Sequence, residues 1–398
     1  MNPFLPDIEK KENRKDLIIS ICVFLSGFSC FAQLYYFQPL LPDLAKDFIL
    51  SASESSFAIS FSTLGMVFGL FTTMFVADRI PRKKMIGTGL LSSSIFSVAA
   101  SFSPTFLPLI LLSAAKGFLL SGATSVSMAY IAEEVSSRNK GKIMGLYIAG
   151  NAFGRVISSW IGALYTWRIA SVSIGLICAL FAILFLLFSP RSTNFMPRKE
   201  SFHTLIIANL QLITSKALIP FYLTGGLILG VFVSLYNYLG FYLTKAPFNF
   251  PEHYIHYIYL MYIFGIFGSI ATAGLTRYFT HFKVLKAMFL VSAAGILLLY
   301  ITDFRVVTLG LAVFTFNFFV VHVLCNRIVS DYNLSKRSVT ISIYLLTYYL
   351  GSSLLGWGTG VILDTWGWQY FLGSLILILL INYGIVIGGI KRMRADLS

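Results

Sequence analysis

The stretch Val76-Ala77-Asp78-Arg79-Ile80-Pro81-Arg82-Lys83-Lys84 decides how this chain is read. It sets one acid and four basic residues between two apolar runs, at 55–77 and 85–103. Each run is close to the ~20 residues that a helix needs to cross a bilayer. Two such runs joined by so short a charged segment make a helical hairpin with its turn at a membrane surface. The same alternation continues along the chain, with apolar runs at 17–41, 55–77, 85–103, 106–132, 142–164, 169–189, 217–243, 254–275, 285–301, 306–329, 339–363 and 369–390. The expected fold is an all-α integral membrane protein of twelve transmembrane helices. Strands do not fit, because a lipid-facing barrel needs short alternating segments rather than near-continuous apolar runs.

Composition agrees with that reading. The 398 residues are 57% hydrophobic and 12% charged, whereas soluble chains carry about a quarter charged residues. Twelve spans leave only loops and tails, with no room for a soluble catalytic or nucleic-acid-binding domain. The first apolar run is too long for a signal-peptide core and lacks a small-residue cleavage site, so it is expected to remain as a span. The net charge of +14 comes from 30 Lys and Arg against 16 Asp and Glu. The basic residues lie in short tracts between apolar runs, which points to anionic lipid as partner and not to nucleic acid. Cys22, Cys30, Cys178 and Cys325 all fall inside apolar segments and read as small buried hydrophobes. No His/Cys spacing fits a metal site, His253 and His256 being the closest approach, so neither metal nor cofactor is expected.

An even number of spans puts both termini on one side. That side holds 24 Lys and Arg, including Arg79, Arg82, Lys83, Arg138, Arg198, Lys199, Arg277 and Lys336. The opposite side holds four, Lys46, Arg168, Lys245 and Arg305. This asymmetry assigns the termini to the cytoplasm. The longest polar interruption falls at mid-chain. The expected organisation is a cytoplasmic tail at 1–16, a six-helix bundle at 17–189, a cytoplasmic linker at 190–216, a second six-helix bundle at 217–390 and a tail at 391–398. A shift of 198 residues brings Arg79 onto Arg277 and Glu133 onto Asp331, and a shift of 197 brings Tyr147 onto Tyr344 and Gly154 onto Gly351. Trp167 and Trp368 close the corresponding segments, expected at the outer surface. The two bundles are therefore read as a duplication, the usual way to build a midplane site between two moving halves.

The quoted loop resembles the signature loop of the major facilitator superfamily, Gly-x-Leu-x-Asp-Arg-x-Gly-Arg-Lys/Arg. Asp78, Arg79, Arg82 and Lys83 match, while Met74 and Pro81 stand in place of the two glycines. Leu34-Tyr35-Tyr36-Phe37-Gln38-Pro39-Leu40-Leu41, Gly145 to Asn151, Trp167-Arg168 and Tyr348 to Ser353 extend the likeness to the drug-exporter and sugar-efflux-like permeases of bacteria. The resemblance implies a monomeric secondary transporter in the bacterial cell membrane. Asp78 is expected to meet the positive N-terminal end of the eleventh span near Val339 as a latch between halves. Arg79, Arg82 and Lys83 are expected to pair Glu133 or Asp331 and to contact anionic headgroups, and Arg277, the counterpart of Arg79, is expected among the gating residues.

An ion inside the bilayer is a functional candidate by default. Lys116 lies about ten residues from the outer end of the fourth span and Arg155 about nine from that of the fifth, so the two sit at similar depth. Lys116 stands where the superfamily's antiporters carry an arginine, a position the resemblance links to proton coupling. Tyr147, Asn151 and Arg155 share one helix face, continued toward Ser158 and Ser159. Tyr344, Tyr348 and Ser352 form the matching stripe of the second half. Tyr35 and Gln38, Tyr236 and Asn237, and His322 with Asn326 complete the expected cavity lining, against the alternative that any one of them only bonds helix to helix.

All sixteen acids fall in tails, loops or span ends. With no mid-membrane carboxylate to meet a cationic drug, the two cations favour an anionic or zwitterionic metabolite, for example a carboxylate-bearing metallophore or an opine. For coupling to protons, His322 is the embedded candidate, with Asp43 and Glu133 in reserve. The expected function is proton-coupled export of a small organic solute. The alternatives are a multidrug or sugar efflux permease and a non-transporting receptor or pore. An intramembrane enzyme is not expected, since no nucleophile–base pair or metal set such as His-Glu-x-x-His is present.

Overall fold

In a computed structural model the described residues are 5–197, 211–332 and 337–397. Arg198, Lys199, Lys336 and residues 198–210 of the expected linker lie outside them, as do the side chains of Lys10, Lys11, His253, His256, Arg337 and Arg394. Twelve long helices follow in order: α1 Leu5–Tyr35, α2 Phe57–Val76, α3 Arg82–Ala100, α4 Phe106–Glu134, α5 Lys140–Leu164, α6 Trp167–Phe188, α7 Ile219–Leu243, α8 Tyr262–Tyr278, α9 His281–Leu298, α10 Phe304–Tyr332, α11 Arg337–Trp366 and α12 Trp368–Leu397. There is no strand among the described residues. Ten of the twelve, α8 together with the end of the 3-10 segment before it, are long and apolar enough to cross a membrane. The other two are α3, which opens on Arg82-Lys83-Lys84 and carries four serines, and α5, which carries Lys140, Lys142, Asn151 and Arg155. Both pack against other helices, α3 on α4 and α6 and α5 on α1, so their polar faces are turned away from lipid.

Several helix ends differ from the sequence reading. α1 begins well before residue 17, because a polar segment in water extends a helix without leaving backbone groups unsatisfied. It stops at Tyr35 and not near 41, since Pro39 and Pro42 lack the N–H that continues the ladder. The chain turns there through a 3-10 turn, Gln38–Leu40, into a short helix, Leu41–Phe48. The eighth span starts as a 3-10 segment, Glu252–Met261, that Pro251 precedes. In that geometry residues three apart eclipse, which sets Tyr259 and Tyr262 together against Tyr236, with ring centroids 5.7 and 4.4 Å away. The last helix continues through the expected tail to Leu397. Trp167 stands at the end opposite the termini, buried, with its Nε1 donating to Asp47 of the short helix at 2.7 Å.

The duplication is visible in the packing. In the first bundle α1 packs on α5 and α6, α2 on α4, and α3 on α4 and α6; in the second α7 packs on α11 and α12, α8 on α10, and α9 on α10 and α12. Every pair recurs six helices later. Gly154 lets α5 approach the Phe28 backbone of α1, and its counterpart Gly351 lets α11 approach the Gly226 backbone of α7. Such small-residue seams replace the hydrophobic effect as the means of helix association in lipid. The halves meet through α2 against α11 and α5 against α8. Ser353 Oγ donates to the Ser60 carbonyl at 2.8 Å, and the Ser53 N–H donates to Asp364 at 2.9 Å. Both bonds lie toward the side opposite the termini, here called the distal side.

Two outcomes are expected. Gly351→Leu drives a branched side chain into Gly226 and should abolish the monodisperse peak in detergent gel filtration, while Gly384→Ala, at a position facing open space, should leave it unchanged. Asp364→Ala removes one cross-half hydrogen bond of about 1 kcal/mol. It should speed labelling of a cysteine at Ser353 by a hydrophilic maleimide about fivefold, read against a background of four buried native cysteines.

Candidate substrate site

The i, i+4, i+8 spacing of Tyr147, Asn151 and Arg155 places them along one face of α5. They do different work. Arg155 is 4% exposed. Its guanidinium carbon lies 4.1 Å from the ring centroid of Tyr35, 5.0 Å from Phe31, 5.5 Å from Phe232 and 5.6 Å from Tyr262. Two of those rings come from α1 and two from the second half, so the charge sits where the halves meet. A desolvated cation–π contact is worth about 2 kcal/mol, and four of them replace part of the hydration that burial removes. Nε makes no hydrogen bond among the described residues, and none of their carboxylates pairs with the guanidinium.

The second half supplies the facing wall. His322 of α10 is half-buried, and its Nδ1 lies 2.9 Å from the Tyr344 hydroxyl. The Tyr348 ring stands 4.6 Å from the imidazole. Tyr348 and Tyr349 of α11 lie within electrostatic range of Arg155. Gln38 spans the halves, its Nε2 donating to Asn237 Oδ1 at 3.0 Å while its Oε1 accepts from the Tyr262 hydroxyl at 2.6 Å. Tyr236 bonds Thr315 at 2.7 Å. Tyr35, Gln38, Arg155, Tyr236, Asn237, His322, Tyr344 and Tyr348 thus fall in one buried polar and aromatic cluster where the halves meet, the candidate substrate chamber.

Other expected lining residues go elsewhere. The Asn151 amide, with its nitrogen toward the carbonyls, donates to Tyr147 O at 3.2 Å and Gly27 O at 3.1 Å, tying α5 to α1. Ser158 and Ser159 return their hydroxyls to the Arg155 carbonyl at 3.1 and 2.9 Å, as serines in helices commonly do. Lys116 is not brought to Arg155. It is buried inside the first bundle, with Nζ 4.5 Å from the Tyr36 ring and 5.1 Å from that of Phe37. Phe31, Phe232, Tyr262 and Tyr349 line the chamber although the sequence reading passed over them. The Phe232–Tyr236 spacing on α7 was the available signal.

On the side of the termini the charges form a compact knot. Arg82 Nη2 reaches Asp78 at 2.8 Å and Glu133 at 3.1 Å, and Nη1 reaches the Ala77 carbonyl at 2.6 Å. Burial opposes its charge, but the hydrogen bonds and charges of Asp78 and Glu133 outweigh that and raise its pKa. In this structure the carboxylate expected to latch onto α11 is thus engaged by Arg82, within the first half. Lys83 Nζ bonds the Ser189 carbonyl, Arg79 and Arg277 are exposed, and Asp331 meets Arg327 at 3.6 Å. Glu134, not singled out in the sequence, is the deeper carboxylate, bound by Lys15 at 2.9 Å, the Asn194 N–H at 2.7 Å and Thr193 at 2.9 Å. Asp43 belongs to the short distal helix. Asp43 and Glu133 stand at opposite ends of the molecule, with His322 between them.

Two matched six-helix bundles with a buried cation where they meet have the form of a multi-pass membrane transporter. The comparisons agree. Residues 20–356 match the Major Facilitator Superfamily model, and the chain belongs to that family. An uncharacterized transporter of Buchnera aphidicola subsp. Schizaphis graminum is 31% identical over 94% of this chain and 91% of its own length. The inner membrane transport protein YnfM of Escherichia coli is 30% identical over 91% of this chain and 88% of its own. Among solved structures, a bacterial homolog of the human lysosomal transporter Spinster, inward-facing and unoccupied, superposes with a TM-score of 0.74 at 13% identity, covering 94% of this chain and 95% of that one. The human organic anion transporter MFSD10 superposes with a TM-score of 0.69 at 17% identity, covering 94% and 99%.

A point charge on a flexible stem cannot reproduce the fork that holds Asp78, Glu133 and the Ala77 carbonyl together. Arg82→Lys should therefore lower the melting temperature in detergent by a few degrees, and Arg82→Lys with Glu133→Gln should cost less than the sum of the two single changes.

Proposed function

We propose that this transporter is an exporter of a small organic anion or zwitterion, driven by protons and lying in the bacterial cell membrane with both termini in the cytoplasm. The observation that carries the proposal is Arg155, buried where the halves meet and without a carboxylate partner among the described residues. An anionic cargo supplies the missing charge. A carboxylate-bearing metallophore or an opine fits this reading, since each offers a carboxylate for the guanidinium and bulk for the tyrosines. The organic-anion transporter among the fold neighbours carries, by its name, cargo of the same sign. Anionic headgroups are the natural partners of the basic loops.

His322, half-buried and bonded to Tyr344 beside the cargo charge, is proposed as the proton-carrying group, with Asp43 and Glu133 as entry points at the two surfaces. The basic asymmetry of the loops supports cytoplasmic termini. With the distal ends of α2 and α11 joined, the form described is closed on the distal side.

Comparison of medium and cell metabolites between a deletion strain and its parent identifies the cargo. Uptake of that cargo into inverted vesicles under a pH gradient then measures transport. Removing one partner of a buried charge pair costs about 2–5 kcal/mol, so Arg155→Met should lower the initial rate roughly a hundredfold, with Arg155→Lys in between. Wild-type rates in Arg155→Met would remove Arg155 from the site. The aromatic lining supports one second reading, amphipathic or sugar cargo; saturable transport of a neutral aromatic solute that Arg155→Met leaves intact would favour it. Unsaturable flux would indicate a pore.

A further inference from the structure

The other buried cation has no part in the function just described. Lys116 lies on α4 at 1% exposure, and its Nζ makes no hydrogen bond among the described residues. One turn earlier on the same face, Ser113 Oγ is also without a hydrogen-bond partner among them. Cys178 of α6 is within electrostatic range of Lys116 and in side-chain contact with Gln33 of α1, and its thiol donates to the Ser29 carbonyl at 4.0 Å. The Gln33 carboxamide oxygen is taken by Ser97 at 3.0 Å, while its Nε2 is unbonded.

The unspent groups are an ammonium, an amide nitrogen and a hydroxyl, which together are rich in donors and carry one positive charge. Buried polar groups are almost always satisfied, and the ammonium is the costliest of all to leave alone. Every acid of the chain lies in a tail, a loop or a span end, so the neutralising charge does not come from a side chain at this depth. Tyr36 and Phe37 cover the ammonium from one side. α1 and the turn after it stand between this cluster and the Arg155 chamber, giving Phe31 and Tyr35 to the chamber and Gln33 and Tyr36 to the cluster. That enclosure suits an ion and not an organic cargo.

We infer that the first bundle holds a small monovalent inorganic anion of about chloride size between α1, α4 and α6, with Lys116 as its charge partner and Gln33 Nε2 and Ser113 Oγ as neutral donors. The anion completes the electrostatics of the first half in the way cargo completes the chamber, and it stays bound whether or not cargo is present.

Thermal unfolding of the full chain in detergent tests this, with sodium chloride replacing sodium gluconate at constant ionic strength. A ligand that binds only the folded state raises the melting temperature along a saturating curve. The expected result is a saturable rise of several degrees in the wild type, reproduced by bromide, absent in Lys116→Met and retained in Arg155→Met. No saturable rise in the wild type, or the same rise in Lys116→Met, overturns the inference; loss in Arg155→Met with retention in Lys116→Met assigns the anion to the chamber instead. Should Lys116→Met fail to fold, Gln33→Met decides, with half-saturation expected about tenfold higher and an unchanged value counting against the site.

Discussion

A guanidinium in a bilayer must be kept from the hydrocarbon, and the arrangement of both bundles follows from how that is done for Arg155. No carboxylate is spent on it among the described residues. The charge is wrapped by faces of aromatic rings, two from α1 and two from the other half. Such rings stabilise a cation only through their quadrupoles, over a short range. The wrapping therefore requires the halves to be in contact at this level, and the bridge from Asn237 through Gln38 to Tyr262 lies beside it. Parting the halves on the distal side would exchange Phe232 and Tyr262 for water, an exchange that a charge tolerates and an apolar core would not.

The close seams within each half make this contact possible. Where Gly154 meets α1 and Gly351 meets α7, backbones approach to a distance that any side chain would prevent. Each half is then a closely packed body along its internal seams. The joint between halves is different in kind. It relies on a few hydrogen bonds, Ser53 to Asp364 and Ser353 to Ser60 among them, and on ring contacts around a charge. Strong seams within and a modest joint between are what rocking of two bundles needs.

Much of this was legible in the sequence, and the limit has a physical form. Twelve apolar runs and the offset that pairs Gly154 with Gly351 depend on one-dimensional spacing, and the twelve long helices and the two glycine seams carry them; the expected mid-chain linker lies partly outside the described residues. The depth of a residue in the membrane is equally one-dimensional, so Lys116 and Arg155 could be placed at one level. Which neighbour a helix face meets is not. Depth alone suggested a shared chamber, but Lys116 points into the first bundle and Arg155 points out of it. The same blindness set Glu133 above Glu134. One residue along a helix is a turn of about 100°, and here it separates the partner of Arg82 from the deeper carboxylate held by Lys15. The cavity role assigned to Asn151 failed to anticipate its amide bridge to Gly27 for the same reason.

The helix that divides the two cations also joins them. On α1, residues 33 and 35 point about 200° apart, so Gln33 belongs to the Lys116 cluster and Tyr35 to the Arg155 chamber. The chain leaves α1 at Tyr35 and turns at once, through Tyr36 and Phe37, over the Lys116 ammonium. A tilt of α1 that lifted Tyr35 from Arg155 would act on the turn that carries the rings over Lys116. Coupling of this kind would need no wire of polar contacts between the cations, because α1 and the turn that directly follows it present the two sets of rings. Pro39 sets where that helix stops. With no N–H to extend the ladder, it fixes the turn that places Tyr36 and Phe37 on one cation just after Phe31 and Tyr35 have covered the other.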